Sequence, residues 1–300
     1  MTQQNAPAND YRLEAHPKFE FLQIQPTPTQ EEIASFYAQE FYSQEYPGFN
    51  NSALEVQLDD LEFHQAHFQD LCDSFSSLLE RPLDSMSVLD IGCGWGQALL
   101  HFQDQGMAAY GFDPAPEAVE YGERNGLQVV QAGMDNMNVF DGRRFDVVTL
   151  LNVLEHLADP VGILTEIKDK VLNPGGIIAI EVPNEFNAFQ VAGKEAHDLK
   201  EWWVAPPAHL NYFTRTTLSE LLTGIGYEVK ITESSFPMEM FLVFGDNYVE
   251  DPAVGKACHK KRVAFEMNLR RQGKTEFLRS FYRSMADQNL GRQVLAFAQA

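Results

Sequence analysis

Hydrophobic residues follow two different spacings along the chain, and the change between them divides it. Up to about residue 82, apolar side chains recur every three or four positions, as in amphipathic helices. One helix is predicted to begin at the capping-box pair Thr29 and Glu32, and a longer one runs over 54–79, before Arg81-Pro82. Residues 1–82 are therefore predicted to form a helical preface or lid.

From Ser87 the pattern changes to short β-branched runs that alternate with helical segments. Such alternation predicts crossover units on a parallel sheet. The predicted strands are 88–91, 108–112, 128–131, 145–151 and 177–182, with 228–234 and 240–244 closing the sheet. A long irregular stretch, 183–213, precedes a further helix over 216–224.

A glycine-rich turn follows the first predicted strand. Asp90 is succeeded by Gly92, Cys93, Gly94 and Gly96, and a helix is predicted to begin directly afterwards. Glycines allow the backbone to bend sharply and to approach a ligand, and a helix start offers free N–H groups. The spacing is G-x-G-x-G, and Gln97 stands where the dinucleotide fingerprint needs a small residue. The Asp90 carboxylate is placed to orient the cationic end of a ligand.

The ends of the next two predicted strands carry further candidates. Asp113 ends the second strand, where a carboxylate can accept both hydroxyls of a ribose. The alternative for Asp113 is a helix cap before Pro114. Met134 and Asp135 follow the third strand, where a purine ring would lie.

Together these motifs resemble those of class I S-adenosylmethionine-dependent methyltransferases. The resemblance covers about residues 88–234 and includes Phe145-Asp146-Val147-Val148, Asn152-Val153-Leu154-Glu155-His156 and Leu172-Asn173-Pro174-Gly175-Gly176. It implies an α/β Rossmann-like seven-stranded sheet of order 3-2-1-4-5-7-6 with the last strand antiparallel. The predicted divisions are 1–82, a methyltransferase core over 83–245 with an acceptor-side insertion at 183–213, and a C-terminal helical extension over 246–300.

The resemblance also implies roles for individual residues. S-adenosyl-L-methionine is the expected cofactor and S-adenosyl-L-homocysteine its product. The three glycines, with Asp90 and Cys93, would surround the methionyl part, and Asp113 would hold the ribose. Met134 and Asp135 would border the adenine, although relatives often carry an acid where Met134 stands. Asn152 and Val153 would line the floor beneath the sulfonium.

Composition limits the classes of partner. The formal charge is −21, with 22 basic against 43 acidic residues, and so strong a negative field repels nucleic acid and anionic membranes. No signal peptide or transmembrane segment is evident, and the three cysteines offer no zinc spacing. We therefore expect a cytoplasmic protein without a metal. The segment from Gly245 is basic, which predicts a solvated tail, or docking onto the acidic body or onto a second copy in a homodimer.

Two histidines are candidates for work on the methyl acceptor. His209 lies in the 183–213 segment, and His156 follows the fourth strand. Either can serve as the general base for a hydroxyl acceptor, and the alternative for each is a hydrogen-bonded structural histidine. Four aromatic residues are predicted to contact the acceptor: Trp202, Trp203, Tyr212 and Tyr46.

The sequence therefore predicts a methyltransferase that acts on a small molecule, by direct in-line displacement. O-methylation of a sugar or secondary metabolite is the leading hypothesis. N-methylation of a small amine and a non-catalytic cofactor-binding scaffold are the alternatives. A nicotinamide oxidoreductase is disfavoured by Asp90 and Gln97.

Overall fold

A computed structural model describes residues 11–29, 32, 54–134 and 136–300. Its main feature is a seven-stranded sheet. The strands are β3 (Ser87–Ile91), β4 (Ala108–Asp113), β5 (Gln128–Gln131), β6 (Phe145–Leu151), β7 (Leu172–Pro183), β9 (Glu228–Ser234) and β10 (Gln293–Gln299). A second sheet has three short strands, β1 (Arg12–Ala15), β2 (Leu22–Gln25) and β8 (Asn211–Tyr212).

The strand order of the main sheet is β5-β4-β3-β6-β7-β10-β9. Counted along the chain, this is 3-2-1-4-5-7-6. Strand β10 pairs antiparallel with both β7 and β9, whereas β3, β4, β5, β6 and β7 are parallel to their neighbours in that series. The predicted fold class, a Rossmann-like methyltransferase sheet with one antiparallel strand, is therefore confirmed.

Helices cover both faces of this sheet. They are α1 (Leu54–Asp59), α2 (Leu61–Leu79), α3 (Gln97–Asp104), α4 (Pro116–Arg124), α5 (Pro160–Glu166), α6 (Ala188–Ala196), α7 (Arg215–Gly224), α8 (Glu239–Val243), α9 (Pro252–Arg271) and α10 (Thr275–Ala286). Successive strand residues alternate between two apolar layers: Leu89 and Val148 pack on one face, and Val88 and Val147 on the other. The long helix predicted over 54–79 is present but is interrupted at Asp60.

The closing strand lies elsewhere than predicted. Residues 240–244 fall mostly within helix α8, and the seventh strand is β10. The segment 246–300 is therefore not only a helical extension, because it supplies a strand between β7 and β9. The apolar run at 293–299 escapes sequence reasoning because three helices, α8, α9 and α10, separate it from β9, and the run at 240–244 offers a nearer strand pattern.

The N-terminal region is not purely helical either. Strands β1 and β2 form an antiparallel hairpin, and β2 pairs with β8 from the far end of the 183–213 segment. The capping box is formed, because the Thr29 N–H donates to Glu32 Oε2 over 2.8 Å and the Glu32 N–H donates to Thr29 Oγ1 over 3.3 Å. The predicted helix beyond it, including residues 33–41 and Tyr46, lies outside the described residues.

The basic C-terminal segment docks onto the acidic body. Arg279 on α10 pairs with Glu233 on β9 over 2.8 Å, and both side chains are buried. Arg270 on α9 also pairs with Asp70 on α2. Of the readings left open by the sequence, docking onto the body is therefore the one observed. The homodimer stays a prediction.

Candidate active site

The glycine loop joins β3 to α3 in the conformation that its sequence requires. Gly92, Gly94 and Gly96 have φ of 68°, 50° and 72°, a region that residues with a side chain rarely adopt. A Cβ on Gly92 would lie 2.7 Å from Val153 Cγ2, and one on Gly96 would lie 2.5 Å from Leu127 Cδ1. The loop is therefore pressed against its surroundings, with no room for larger residues at these two positions.

Asp90 lies beneath the loop at the carboxyl end of β3. Its side chain is 3% exposed and its Oδ1 accepts a hydrogen bond of 2.6 Å from the Thr149 hydroxyl. Burial raises the pKa of Asp90 to about 7, although the bond from Thr149 lowers it. The group is thus poised to ionise near neutral pH, where an incoming cation would favour its charged form.

Asp113 connects the end of β4 to the glycine loop. Its Oδ2 accepts the Gly94 N–H and its Oδ1 accepts the Ala115 N–H, each over 2.9 Å. The bond from Ala115 is the local cap that the sequence left open as an alternative for this residue. The bond from Gly94 joins Asp113 to the glycine loop, which a local cap does not do. Burial raises the pKa of Asp113, while both backbone bonds lower it. A carboxylate oxygen has a second lone pair, so the group can still accept hydroxyls.

Two other predicted cofactor residues lie against the same loop. The sulfur of Met134 is 3.3 Å from the position of a Cβ on Gly92. The Cys93 side chain turns towards Gly111 on β4, where a Cβ would lie 2.9 Å from its sulfur. Burial raises the pKa of the Cys93 thiol well above its usual value, so the thiol stays protonated at physiological pH. Asp135 lies outside the described residues.

Asn152 and Val153 follow β6 directly. Asn152 has a φ of 58°, which asparagine tolerates better than most residues, and its N–H donates to the Glu181 carbonyl over 2.8 Å. Its Oδ1 accepts a hydrogen bond of 2.6 Å from Gln293 Nε2. Strand β10 thus contacts the floor of the site, a contact that the sequence does not reveal.

Both candidate histidines meet in one cluster with Glu155, although 53 positions separate them in the sequence. The ring centroids of His156 and His209 are 5.1 Å apart, and Glu155 Oε1 lies 3.7 Å from His156 Nε2. Burial lowers the pKa of His156 to about 4 and that of His209 to about 3, so both imidazoles are neutral at physiological pH. Burial raises the pKa of Glu155 to about 8.

Each histidine is held by the main chain around it. His156 Nδ1 lies 2.7 Å from the Ala208 carbonyl, which joins the end of β6 to the 183–213 segment. The Tyr212 hydroxyl accepts the Ala205 N–H over 3.1 Å and donates to the His209 carbonyl over 3.0 Å. Tyr212, predicted to contact the acceptor, therefore positions the loop that carries His209.

The paired tryptophans anchor the 183–213 segment. The Trp203 side chain is 4% exposed and packs edge-on against Trp202 and Phe186, with ring centroids 4.7 and 5.5 Å apart. Neither indole N–H has a hydrogen-bond partner among the described residues. Both donors are buried, and the acceptor contact of the two tryptophans stays a prediction.

Sequence reasoning missed a second buried polar group, centred on Glu185. Its carboxylate accepts a hydrogen bond of 2.6 Å from Gln190, and burial raises its pKa to about 7. Arg292 pairs with Glu239 over 2.6 Å and interacts electrostatically with Glu185. Glu155 was also missed as a functional group, although it stands directly before His156. Consecutive polar residues at the end of a buried strand were the available signal.

Comparisons with known proteins identify the family of the chain. A family model described as a methyltransferase domain matches residues 63–230, more than half of the chain. The chain belongs to this family. The predicted class, an S-adenosylmethionine-dependent methyltransferase, is thereby confirmed, with S-adenosyl-L-methionine as the cofactor of that class.

Curated relatives include two proteins named ubiquinone biosynthesis O-methyltransferase. The one from Azorhizobium caulinodans is 34% identical over 128 residues, which are 41% of this chain and 50% of the relative. The one from Dinoroseobacter shibae is 33% identical over 158 residues, 49% and 62% of the respective chains. The chain thus spans about half to three-fifths of the length of these relatives.

Solved structures show the same fold. The plantazolicin methyltransferase BamL, in complex with a triazolic desmethylPZN analogue and S-adenosylhomocysteine, has a TM-score of 0.55 at 14% identity over 90% of this chain and 96% of its own. A Burkholderia thailandensis 1,6-didemethyltoxoflavin-N1-methyltransferase has a TM-score of 0.52 at 16% identity, over 93% of this chain and 94% of its own. Within the part of the chain that the structure describes, no helix is both long and apolar enough to cross a membrane.

Proposed function

We propose that this protein transfers the methyl group of S-adenosylmethionine to a hydroxyl group of a small molecule, such as a sugar or secondary metabolite. The observation that carries the proposal is the cluster of Glu155, His156 and His209, which begins two residues beyond the floor residue Val153. It sets polar groups that can act on an acceptor oxygen beside the predicted sulfonium position. The names of the curated relatives support oxygen as the acceptor atom.

The proposed cofactor site uses the loop and the strand ends around it. Asp90 would face the ammonium group, Asp113 the ribose hydroxyls, and Met134 with Asp135 the adenine. Asn152 and Val153 would lie below the sulfonium. The reaction is one displacement, in which the acceptor oxygen bonds to the methyl carbon as the sulfur–carbon bond breaks, so holding the two molecules in line can supply several kcal/mol.

We propose His209 and His156 as catalytic residues that act at the acceptor oxygen together with Glu155. A neutral imidazole can accept a hydrogen bond from a hydroxyl, and both imidazoles are neutral. A base with a pKa near 3 or 4 removes such a proton poorly, however, because efficient general bases have a pKa near the operating pH. The two histidines therefore need a further group that makes the hydroxyl more acidic.

Calorimetric titration tests the cofactor part of the proposal. S-adenosylhomocysteine should bind the wild type with micromolar affinity, about −8 kcal/mol, and the Asp113→Ala variant should lose that binding. This variant removes the carboxylate that fixes Gly94 as well as the ribose contact. Asp104→Ala, an exposed change at the end of α3, is the control and should bind as the wild type does. Equal binding by the Asp113→Ala variant would contradict the assignment.

A panel of hydroxylated sugars, phenols and amines tests the acceptor. Turnover of hydroxyl compounds, reduced strongly in the His209→Ala variant with cofactor binding retained, is the expected result. N-methylation is the second candidate, favoured by the buried carboxyls of Glu155 and Glu185, which suit an amine. Turnover confined to amines would establish it, and cofactor binding without turnover of any compound would favour the scaffold.

A further inference from the structure

Three side chains that commonly bind metals converge at the acceptor side of the site. One ligand atom from each of Glu155, His156 and His209 lies within 4.8 Å of the other two. Glu155 Oε1 and His156 Nε2 are already 3.7 Å apart. An ion bound at about 2.1 Å from each ligand holds those ligand atoms roughly 3–4 Å from one another, so a small adjustment completes the geometry.

The hydrogen bond of His156 gives its ring the orientation of a ligand. The Ala208 carbonyl can only accept, and it lies 2.7 Å from Nδ1, so Nδ1 carries the proton and Nε2 the lone pair. Metal-bound imidazoles are held by such a bond from the second ring nitrogen to a carbonyl or carboxylate. The Asn152 carbonyl also interacts with this ring.

The cluster also has acceptor atoms that no described residue uses, and the cation that acts on it, Arg292, is paired with Glu239. Glu155 Oε2 and His209 Nδ1 are buried without a hydrogen-bond partner among the described residues. A buried carboxyl needs a cation or hydrogen-bond donors to satisfy its oxygens. An ammonium group would satisfy the carboxyl but makes no use of two neutral imidazoles, whereas a metal ion uses all three.

We propose that Glu155, His156 and His209 bind a divalent transition-metal ion of the manganese, iron, cobalt or zinc class. Two imidazoles with one carboxylate suit these ions better than magnesium or calcium, which prefer oxygen ligands. The sequence led us to expect no metal, because it lacks a cysteine pattern and the third ligand is 53 residues away from the second. Only the fold brings the three together.

In the proposed reaction the ion takes the acceptor hydroxyl oxygen as a further ligand, and this step rests on the function proposed above. Coordination lowers the pKa of the hydroxyl, so the O–H bond breaks and the proton leaves to water. An electron pair on the oxygen then forms the C–O bond, and the pair of the broken S–C bond remains on sulfur. The imidazoles stay neutral ligands throughout, and this role replaces the general-base role expected from the sequence.

Cobalt(II) is the probe for this site. Tag-free protein, first dialysed against a chelator, is titrated with Co²⁺ and followed by visible absorption and calorimetry. We expect one ion per chain and a ligand-field spectrum of a site with nitrogen and oxygen ligands. The Glu155→Gln and His209→Gln variants should bind at least about tenfold more weakly. His259→Gln is the control, because His259 pairs with Asp60 on the helical side of the molecule, and its affinity should equal that of the wild type.

Binding of S-adenosylhomocysteine to the same samples separates the two proposals. Variants that still bind it are folded, so weaker Co²⁺ binding in them is a property of the cluster. Absence of Co²⁺, Mn²⁺ and Zn²⁺ binding by a wild type that binds S-adenosylhomocysteine would overturn the metal site and leave the methyltransferase proposal intact. Unchanged Co²⁺ affinity in both variants would overturn it as well. One Co²⁺ per chain without cofactor binding would instead contradict the proposed function.

Discussion

Asp90 and the glycine loop above it illustrate how single residues set the properties of the cofactor site. Within the described part of the chain, the Asp90 carboxyl has one side-chain hydrogen bond, from Thr149, and it is buried below the loop. Ionising it costs free energy, because a buried charge loses its hydration. This cost is reduced when a ligand brings a positive charge to the same place, so the residue links cofactor binding to pH.

Affinity for S-adenosylhomocysteine should rise with pH through about 7. The pKa of Asp90 is about 7, so its ionised fraction grows from about one tenth at pH 6 to about nine tenths at pH 8. An Asp90→Asn variant should bind more weakly at pH 8 and show little change between these values. Calorimetry at both pH values checks this, with the exposed change Asp104→Asn as control. A wild-type affinity that falls over this range would contradict the role of Asp90.

Gly92→Ala should destabilise the protein more than Gly126→Ala does. Both glycines have positive φ, 68° and 80°, but a Cβ on Gly92 would lie 2.7 Å from Val153 Cγ2 and one on Gly126 has no atom within 4 Å. The first variant adds a clash to a backbone strain of about 1–3 kcal/mol that both share. Denaturant unfolding measures the difference. Equal losses in the free energy of unfolding would show that the loop relaxes around the added methyl group. The affinity for S-adenosylhomocysteine should fall only in the Gly92 variant.

At the scale of elements, buried ion pairs join the C-terminal helices to the sheet. Arg279 on α10 donates to Glu233 on β9 and to the Ser74 hydroxyl on α2, so one side chain ties three elements together. Arg283 adds a second, half-exposed contact to the same carboxylate. Charge complementarity thus holds α10 against β9 and against α2.

Arg279→Met should lower the free energy of unfolding by about 3–5 kcal/mol, because it leaves Glu233 buried with only Arg283 as a charged partner. Arg271→Met is the matched control. It removes an exposed pair with Glu62, worth at most about 1 kcal/mol. Urea titration of both variants measures the two losses in the free energy of unfolding. A small loss in the Arg279→Met variant would mean that Arg283 compensates fully.

The sequence predicts elements well where local pattern decides. The five parallel strands from β3 to β7, the helix after Asp159 and the acidic strand ends follow from periodicity, glycine spacing and caps. It fails where long-range pairing decides: β10 has no local sign of its place between β7 and β9, and β8 is two residues long. The Glu155–His156–His209 cluster belongs to the same category, because a hydrogen bond to Ala208 brings two distant segments together.

At the scale of the whole molecule, β10 connects the sheet both to helix α2 and to the floor of the site. Phe297 is fully buried, and its ring lies 6.0 Å from that of Phe75 on α2. At its other end, Gln293 reaches Asn152 on the floor of the site. Folding of the core and assembly of the site therefore depend on the same strand.

Phe297→Ala should lower the free energy of unfolding by about 3–5 kcal/mol through loss of buried surface and the cavity left behind. Phe277→Ala, on the exposed side of α10 with 60% of its surface accessible, should change it by no more than about 0.5 kcal/mol. Thermal unfolding with S-adenosylhomocysteine present and absent tests both variants. A mild effect at Phe297 would mean that the surrounding layers collapse to fill the space.

The position of β10 also has a consequence for synthesis. Strand β9 ends at Ser234, and β10 begins at Gln293, so about 60 residues must be translated before the sheet can close, which takes roughly 3–12 s. During that interval one edge of β7 is unpaired, because apolar residues such as Ile178 and Ile180 lack their partners on β10. A nascent chain at this stage would be the form most prone to aggregation and the form that a chaperone would bind.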